Sequence, residues 1–331
     1  MGLAWHLRPA ASGVLLFLLV GATQARAAAL IQTSDGKTAI DVVRTEEPPR
    51  IDGVLDDAAW KTPPLALGDW ISYNPARGPK IAQKTQVWIS YDDTALYFAF
   101  HCIDPDPGKV RATLSRRDDL WNDDWIGLSL DALGGGQQSY DLFVNPRGVQ
   151  GDILDTATAG EDASPDWVWT SAGRQTAEGY DVELAVPWKN IHFKSGHDVR
   201  MGILFWRRVS RIGMSASWPE LPAGKWVFQC HAPMLLHDLK RPLALEVLPS
   251  ATFSRNEERV SPQAFGKPDN KPEFGISAKY GLTSTTSLEA TVNPDFSQVE
   301  SDAFQIEVNQ RYPVFYSEKR PFFMEGMGTF Q

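Results

Sequence analysis

Trp121-Asn122-Asp123-Asp124-Trp125-Ile126-Gly127-Leu128-Ser129-Leu130-Asp131 is the stretch that decides how this chain is read. An acidic turn runs into Ile126, Leu128 and Leu130, which alternate with Gly127, Ser129 and Asp131. That period of two belongs to a strand with one apolar face. Asp118, Asp119, Asp123 and Asp124 crowd the mouth of the strand beside Trp121 and Trp125. Carboxylates are costly to bury, so this mouth suits ligand contact better than a core.

The same grammar extends in both directions. Thr85 to Ser90, Ala95 to Ile103, Tyr140 to Asn145, Asp181 to Pro187 and Arg200 to Val209 read as short strands broken by Gly, Pro, Asn and Asp. Helical periodicity is confined to a short piece near Asp56 to Trp60, and Gly134-Gly135-Gly136 reads as a hairpin turn. The expected fold class is all-β: an antiparallel, jelly-roll-like sandwich over residues 40–241.

The chain has 331 residues, enough for one large or two ordinary domains. Arg8, an apolar run from Val14 to Val20 and Ala25-Arg26-Ala27 mark residues 1–27 as a secretory signal. The apolar run is too short to cross a bilayer as a helix. With 41 acids against 32 bases the protein is acidic, and nucleic acid is excluded as a partner. Export permits disulfides, so Cys102 and Cys230 could pair. Each also lies on the apolar parity of an expected strand, which fits two separate buried thiols equally well.

Twelve tryptophans exceed what a core of this size needs. Surface candidates are Trp70 and Tyr73 in a turn-rich stretch, Trp121, Trp167 and Trp218, with Trp121 foremost; Trp125, Trp169 and Trp206 are expected to pack in the core. An aromatic face can stack on the apolar side of a sugar while a few polar groups read its hydroxyls. Asp118, Asp119, Asp123 and Asp124 form an oxygen-rich set suited to calcium, without the spacing of an EF-hand. A solvated acidic loop is the alternative, for this set and for Asp152 to Asp166 alike. His-Glu-x-x-His, Gly-x-Ser-x-Gly and phosphate-binding glycine motifs are absent from the sequence. Forty-one acids supply many carboxylate pairs without marking a glycosidase pair.

Beyond Pro242 the alternation lengthens. Phe274, Ile276, Ala278, Tyr280 and Leu282 oppose Glu273, Gly275, Ser277, Lys279 and Gly281; Leu243 to Ser254 and Leu288 to Val292 repeat the pattern. Ten-residue dyad strands are what a transmembrane β-barrel uses, although a sheet packed on the sandwich would show the same pattern. Too few strands are visible to close a barrel, so residues 242–331 are expected to be the truncated start of an outer-membrane barrel, in either a fragment of a longer protein or a truncated product.

Three segments together resemble family 9 carbohydrate-binding modules: Ile51-Asp52-Gly53-Val54-Leu55-Asp56-Asp57-Ala58-Ala59-Trp60, then Val87 to Ile103, then Trp121 to Asp131. The resemblance covers Ile40 to Leu239. It implies a sandwich that grips sugar chain ends between two tryptophans, with structural calcium. It places Trp121 at one stacking position and Asn145 at an amide ligand, and leaves the second tryptophan open between Trp218 and Trp226. The family's glutamate and arginine clamps fall at Gly127 and Phe143, so the stacking half is kept and the polar half is replaced. Asn293-Pro294-Asp295-Phe296-Ser297-Gln298-Val299-Glu300 and Glu318-Lys319-Arg320-Pro321-Phe322-Phe323-Met324-Glu325-Gly326 are similar to the junction in bacterial outer-membrane proteins that join such a module to a barrel. Some of those proteins carry the label membrane-associated hydrolase.

The leading expectation is a noncatalytic glycan-binding sandwich, exported and tied to the outer membrane, in carbohydrate catabolism. A glycoside hydrolase and a barrel plug without sugar affinity are the rivals.

Overall fold

The computed structural model describes residues 27–33, 38–240, 245–257, 259–261, 264–281 and 287–293. Nearly all of the signal segment and the tail motifs beyond Asn293 lie outside them. Among the described residues the strands are, in chain order, β1 Ala29–Gln32, β2 Thr38–Asp41, β3 Val43–Arg44, β4 Ile71–Asn74, β5 Lys84–Tyr91, β6 Ala95–Ile103, β7 Trp125–Asp131, β8 Gln138–Val144, β9 Gln150–Thr156 and β10 Gly160–Asp162. Then come β11 Thr170–Gln175, β12 Gly179–Pro187, β13 Gly196–Val209, β14 Met214–Trp218, β15 Ala232–Leu239, β16 Leu245–Asn256, β17 Arg259–Ser261, β18 Ala264–Phe265, β19 Asp269–Gly281 and β20 Ser287–Val292.

Two sheets form the sandwich. The larger runs β1-β2-β15-β13-β7-β8-β9-β10, with β14 joining β13 and β4 joining β14; the smaller runs β11-β12-β6-β5-β3. Alternate residues meet between them: Ile126, Leu128 and Leu130 of β7 and Ile203 and Phe205 of β13 face Phe98 and Phe100 of β6 and Val182 and Leu184 of β12, all buried. Phe205 meets the Phe98 and Phe100 rings edge-on, at centroid distances of 6.3 and 5.7 Å. Arg207, two residues on and also buried, donates to the Lys84 and Ile103 carbonyls and the Thr85 hydroxyl, tying the larger sheet to the smaller. Three satisfied donors make a buried guanidinium tolerable there.

The segment Ile51 to Trp60 covers the outer face of the smaller sheet, where Trp60 packs with Ala95, Tyr97 and Ala99. One buried carboxylate pins it: Glu183 of β12 accepts the Asp52 and Gly53 amides at 3.1 and 2.7 Å and the Trp60 indole N–H at 2.7 Å. The expected short helix is a single 3-10 turn, Ala58–Trp60.

Several expectations need correction. Asp152 sits inside β9, fully buried, rather than in an acidic loop, because its carboxylate is neutralised by Arg117. Val227–Cys230 is a short helix and not a strand; the Gln229 side chain accepts the Trp226 amide at its start. Cys102 and Cys230 are separate free thiols, the first buried and the second half-buried. Trp70, read as a surface aromatic, is core, against Phe205.

After residue 242, β16-β19-β20 form a third sheet, antiparallel throughout, and β17 pairs with β18 in a separate two-stranded ribbon. Barrel closure is not seen among the described residues. Among them, no helix is long and apolar enough to cross a membrane.

Glu183→Ala would strand three donors on the covered face and should lower stability by about 3 kcal/mol. Chemical denaturation of the variant measures this; an unchanged midpoint would show that the Ile51 to Trp60 segment does not depend on this carboxylate.

Candidate functional site

On the outer face of the larger sheet, the residue order across four strands is Trp206 in β13, Gly127 in β7, Phe143 in β8 and Gly151 in β9, each directly opposite the next. Large and small side chains therefore alternate along the row. A Cβ on Gly127 would lie 2.6 Å from the Phe143 ring, and one on Gly151 would lie 2.6 Å from Leu120 and 3.5 Å from the Trp121 ring. Strands two apart are separated by about 9.6 Å. Yet the Phe143 and Trp206 rings stack at 5.3 Å and 14°, because the space above Gly127 is empty of side chain.

Trp125, at the start of β7, meets Phe143 edge-on at 5.0 Å, and Trp121 meets it edge-on at 5.1 Å. Trp125, Phe143 and Trp206 are 6–7% exposed, whereas Trp121 is 39% exposed. These four rings, with Tyr73, Ile153, Leu221 and Val227, line a cavity of about 410 Å³. Two carboxyl groups, Asp141 and Glu161, complete the lining.

Asp141 lies one row along the sheet, between Ser129 and Ile153. The Ser129 hydroxyl donates to its Oδ1 at 2.6 Å and lies 2.9 Å from His231 Nε2. A hydroxyl has one proton to donate, so while Ser129 donates to Asp141, His231 donates from Nε2 and Nδ1 is the acceptor. That Nδ1 is buried without a hydrogen-bond partner among the described residues. Burial pushes His231 down to about 4, so the imidazole is neutral at physiological pH. Burial pushes Asp141 up to about 8, with the charges of Asp155 and Glu161 adding to the rise. Asp155, buried with Oδ1 unpartnered, is raised for the same reason.

Of the four expected sugar-binding residues Trp121, Asn145, Trp218 and Trp226, Trp121 alone lines this cavity; Tyr73, also expected at the surface, lines it too, as do Trp125 and Trp206, which were expected in the core. Asn145 is fully buried and fully used: its amide donates to the Thr113 carbonyl and Asp123, while its oxygen accepts the Arg147 and Val149 amides. It shapes the loop after β8 and has no group left for a sugar. Trp218 stacks on Phe205 at 6.1 Å at the edge of the main core. Trp226 is 60% exposed and stacks on Phe228, next in sequence to the lining residue Val227. No glutamate or arginine clamp stands at Gly127 and Phe143; their place holds the aromatic floor.

The proposed calcium set does not converge. Asp123 is buried, accepting from Thr113 and Asn145, and Asp124 is buried, accepting the Ser210 and Arg111 amides. Asp119 is exposed. Asp118 instead meets Asp152 and Asp166. Arg117 binds Asp152 through Nε and Nη2, at 2.8 and 2.6 Å, and reaches Asp166 at 3.0 Å, so a cation is already supplied there. These donors do not fit calcium.

Sequence reasoning missed Phe143, Trp206, Asp141, Glu161 and His231 as site groups. The available signal was parity: Trp206, Gly127 and Phe143 all fall on the face opposite the core residues Phe205, Leu128 and Leu142.

Asp141 makes the pH dependence of stability testable. Below about pH 4 its carboxyl is protonated in both folded and unfolded chains. Between there and about 8 the folded chain keeps a proton that the unfolded chain has lost, so stability falls as pH rises. Asp141→Asn should therefore gain Tm relative to the parent progressively from pH 4.5 to 9. A Tm difference independent of pH would rule out the desolvated carboxyl.

Residues 241–331 match the family model described as Domain of unknown function (DUF5916). No curated protein matches the chain. Among solved structures, the chain is similar to a carbohydrate binding module family 9 from Caldicellulosiruptor kristjanssonii in complex with cellotriose, with 16% identity, 61% of this chain and 95% of that chain covered, and a TM-score of 0.41. Its complex with glucose gives 15% identity, coverage of 61% and 96%, and a TM-score of 0.40.

Proposed function

We propose that this protein is a noncatalytic carbohydrate-binding module whose site is the aromatic cavity on the outer face of the larger sheet. The observation that carries the reading is Trp121, a half-exposed indole standing edge-on to an aromatic floor of Phe143 and Trp206. A pyranose can lay its C–H face on that indole while the Asp141 and Glu161 oxygens meet its hydroxyls. The cavity of about 410 Å³ lies within the range that holds a small ligand.

Two carboxyls in unlike environments also favour a second reading, a glycoside hydrolase with Asp141 as a protonated general acid. One experiment separates them. Soluble oligosaccharides are titrated while tryptophan fluorescence is followed, and the sugars are then recovered and sized. The expected outcome is a saturable change, a loss of about tenfold or more in affinity for Trp121→Ala, and intact sugars. Shortened sugars would establish the hydrolase. Absence of any response, with Trp121→Ala unchanged, would sink both.

For the tail, we propose that β16, β19 and β20 present one face to the lipid of an outer membrane. Their register aligns apolar rows: Leu245 with Tyr280 and Leu288, Val247 with Ala278 and Ala290, and Pro249 with Ile276 and Val292. Leu245, Val247, Phe274, Ile276, Leu288 and Val292 are all exposed. The other face carries Ser277 bonded to Thr291 and Lys279 paired with Glu289. Lipid outside and water inside is the environment that suits this division. In its own cells the protein should fractionate with the outer membrane, require detergent for extraction and run differently on gels before and after heating. Release into the soluble periplasmic fraction by osmotic shock would overturn the assignment.

A further inference from the structure

The cavity has an unbalanced charge. Its lining holds two carboxyl groups and no lysine or arginine. Two arginines act on Tyr73 at its edge, and among the described residues neither is ion-paired with a cavity carboxyl: Arg77 donates to the carbonyl of the lining residue Leu221 at 2.7 Å, and Arg208 to the Gly213 carbonyl and the Ser215 hydroxyl. His231 sits behind Ser129 and is neutral. Asp155 pairs with β10 next to Glu161 and keeps one buried carboxyl oxygen without a partner.

Neither carboxyl is positioned like the polar group of an ordinary sugar site, in which a guanidinium or amide shares the work. Both line the same cavity as the rings, and the faces of Phe143, Trp206 and Trp121 add negative potential of their own. A neutral pyranose would satisfy the stacking surface and leave this field uncompensated. A positive group would complete it, because an ammonium donates up to three hydrogen bonds and supplies the counter-charge that lets Asp141 ionise.

We propose that the preferred ligand is an amino sugar, whose ring stacks on Trp121 while its protonated amine meets Asp141 and Glu161. The inference rests on the sugar-binding reading given above and narrows it to one class of glycan.

The full chain is titrated by calorimetry with three disaccharides of the same β-1,4-linked gluco configuration: deacetylated chitobiose, chitobiose and cellobiose. The expected result is affinity for the deacetylated sugar about tenfold or more above that for the other two at low ionic strength, from charge-assisted hydrogen bonds. The preference should shrink as salt is added. It should also shrink toward one in Glu161→Gln, a substitution at an exposed position that leaves folding intact, and in the isosteric Asp141→Asn. Equal affinity for the three sugars would overturn the amine assignment while leaving sugar binding in place. Absence of binding by all three, in both the parent and Trp121→Ala, would remove sugar binding and the amine assignment together.

Discussion

The site depends on two side chains that are missing. Gly127 and Gly151 occupy alternate strands in one row of the larger sheet, and each vacates the volume that an aromatic neighbour fills. Over Gly127 the Phe143 and Trp206 rings close to stacking distance across two strand spacings; beside Gly151 there is room for Leu120 and the Trp121 ring. A methyl group at either position would meet existing atoms at 2.6 Å, well inside van der Waals contact. Glycine in a strand weakens it, and a sheet tolerates this where close packing returns the loss. Here the return is a second apolar cluster, formed by Leu120, Trp125, Phe143, Val149, Leu204 and Trp206 on the face that would otherwise meet water.

That cluster in turn sets the chemistry of the neighbouring row. Covering the outer face with rings removes water from Asp141, against which the Ser129 and Ser139 hydroxyls supply weak opposition. Desolvation then outweighs that opposition, and the carboxyl holds its proton to about pH 8. Glu183, on the outer face of the other sheet, shows the contrasting arrangement. It is equally buried, but it accepts three N–H donors and serves to fasten a segment of chain. Burial raises both acids, yet they differ in role because Glu183 gathers three N–H donors of one segment while Asp141 faces a cavity.

The sandwich was legible because an inward-facing strand repeats every second residue. Ala95–Ile103 and Trp125–Asp131 coincide with the strands read from alternation alone, and Lys84–Tyr91 differs by a residue at each end. The site was only half legible, for a physical reason. Trp125 and Trp206 were expected to be buried and they are, but in the outer cluster and not between the sheets. Hydropathy reports burial without saying on which side of the sheet it occurs. The resemblance to family 9 modules flagged Gly127 and Phe143 as losses, whereas their direct pairing makes them a gain of aromatic floor. The acids from Asp118 to Asp124 looked like one ligand set because they are adjacent in sequence. In a tight turn, successive side chains diverge, and Asp123 and Asp124 were taken up by amides of Thr113, Arg111 and Ser210.

The same alternation has opposite consequences before and after residue 242. In β7 and the stretch Met201 to Arg207 of β13 both faces are covered, one by the facing sheet and one by the aromatic cluster, so every residue is buried. In β16, β19 and β20 the apolar rows align just as strictly, yet large side chains such as Phe253, Phe274 and Val292 remain about two-thirds exposed. Register is specified where a slip would move an apolar set to the wrong environment. A sheet with exposed apolar residues on one face and an aligned Lys279–Glu289 pair on the other is therefore specified for two different surroundings, of which water can be only one. Apolar surroundings for the first face are the condition under which the pattern would stabilise the segment, which is the physical ground of the lipid-facing proposal.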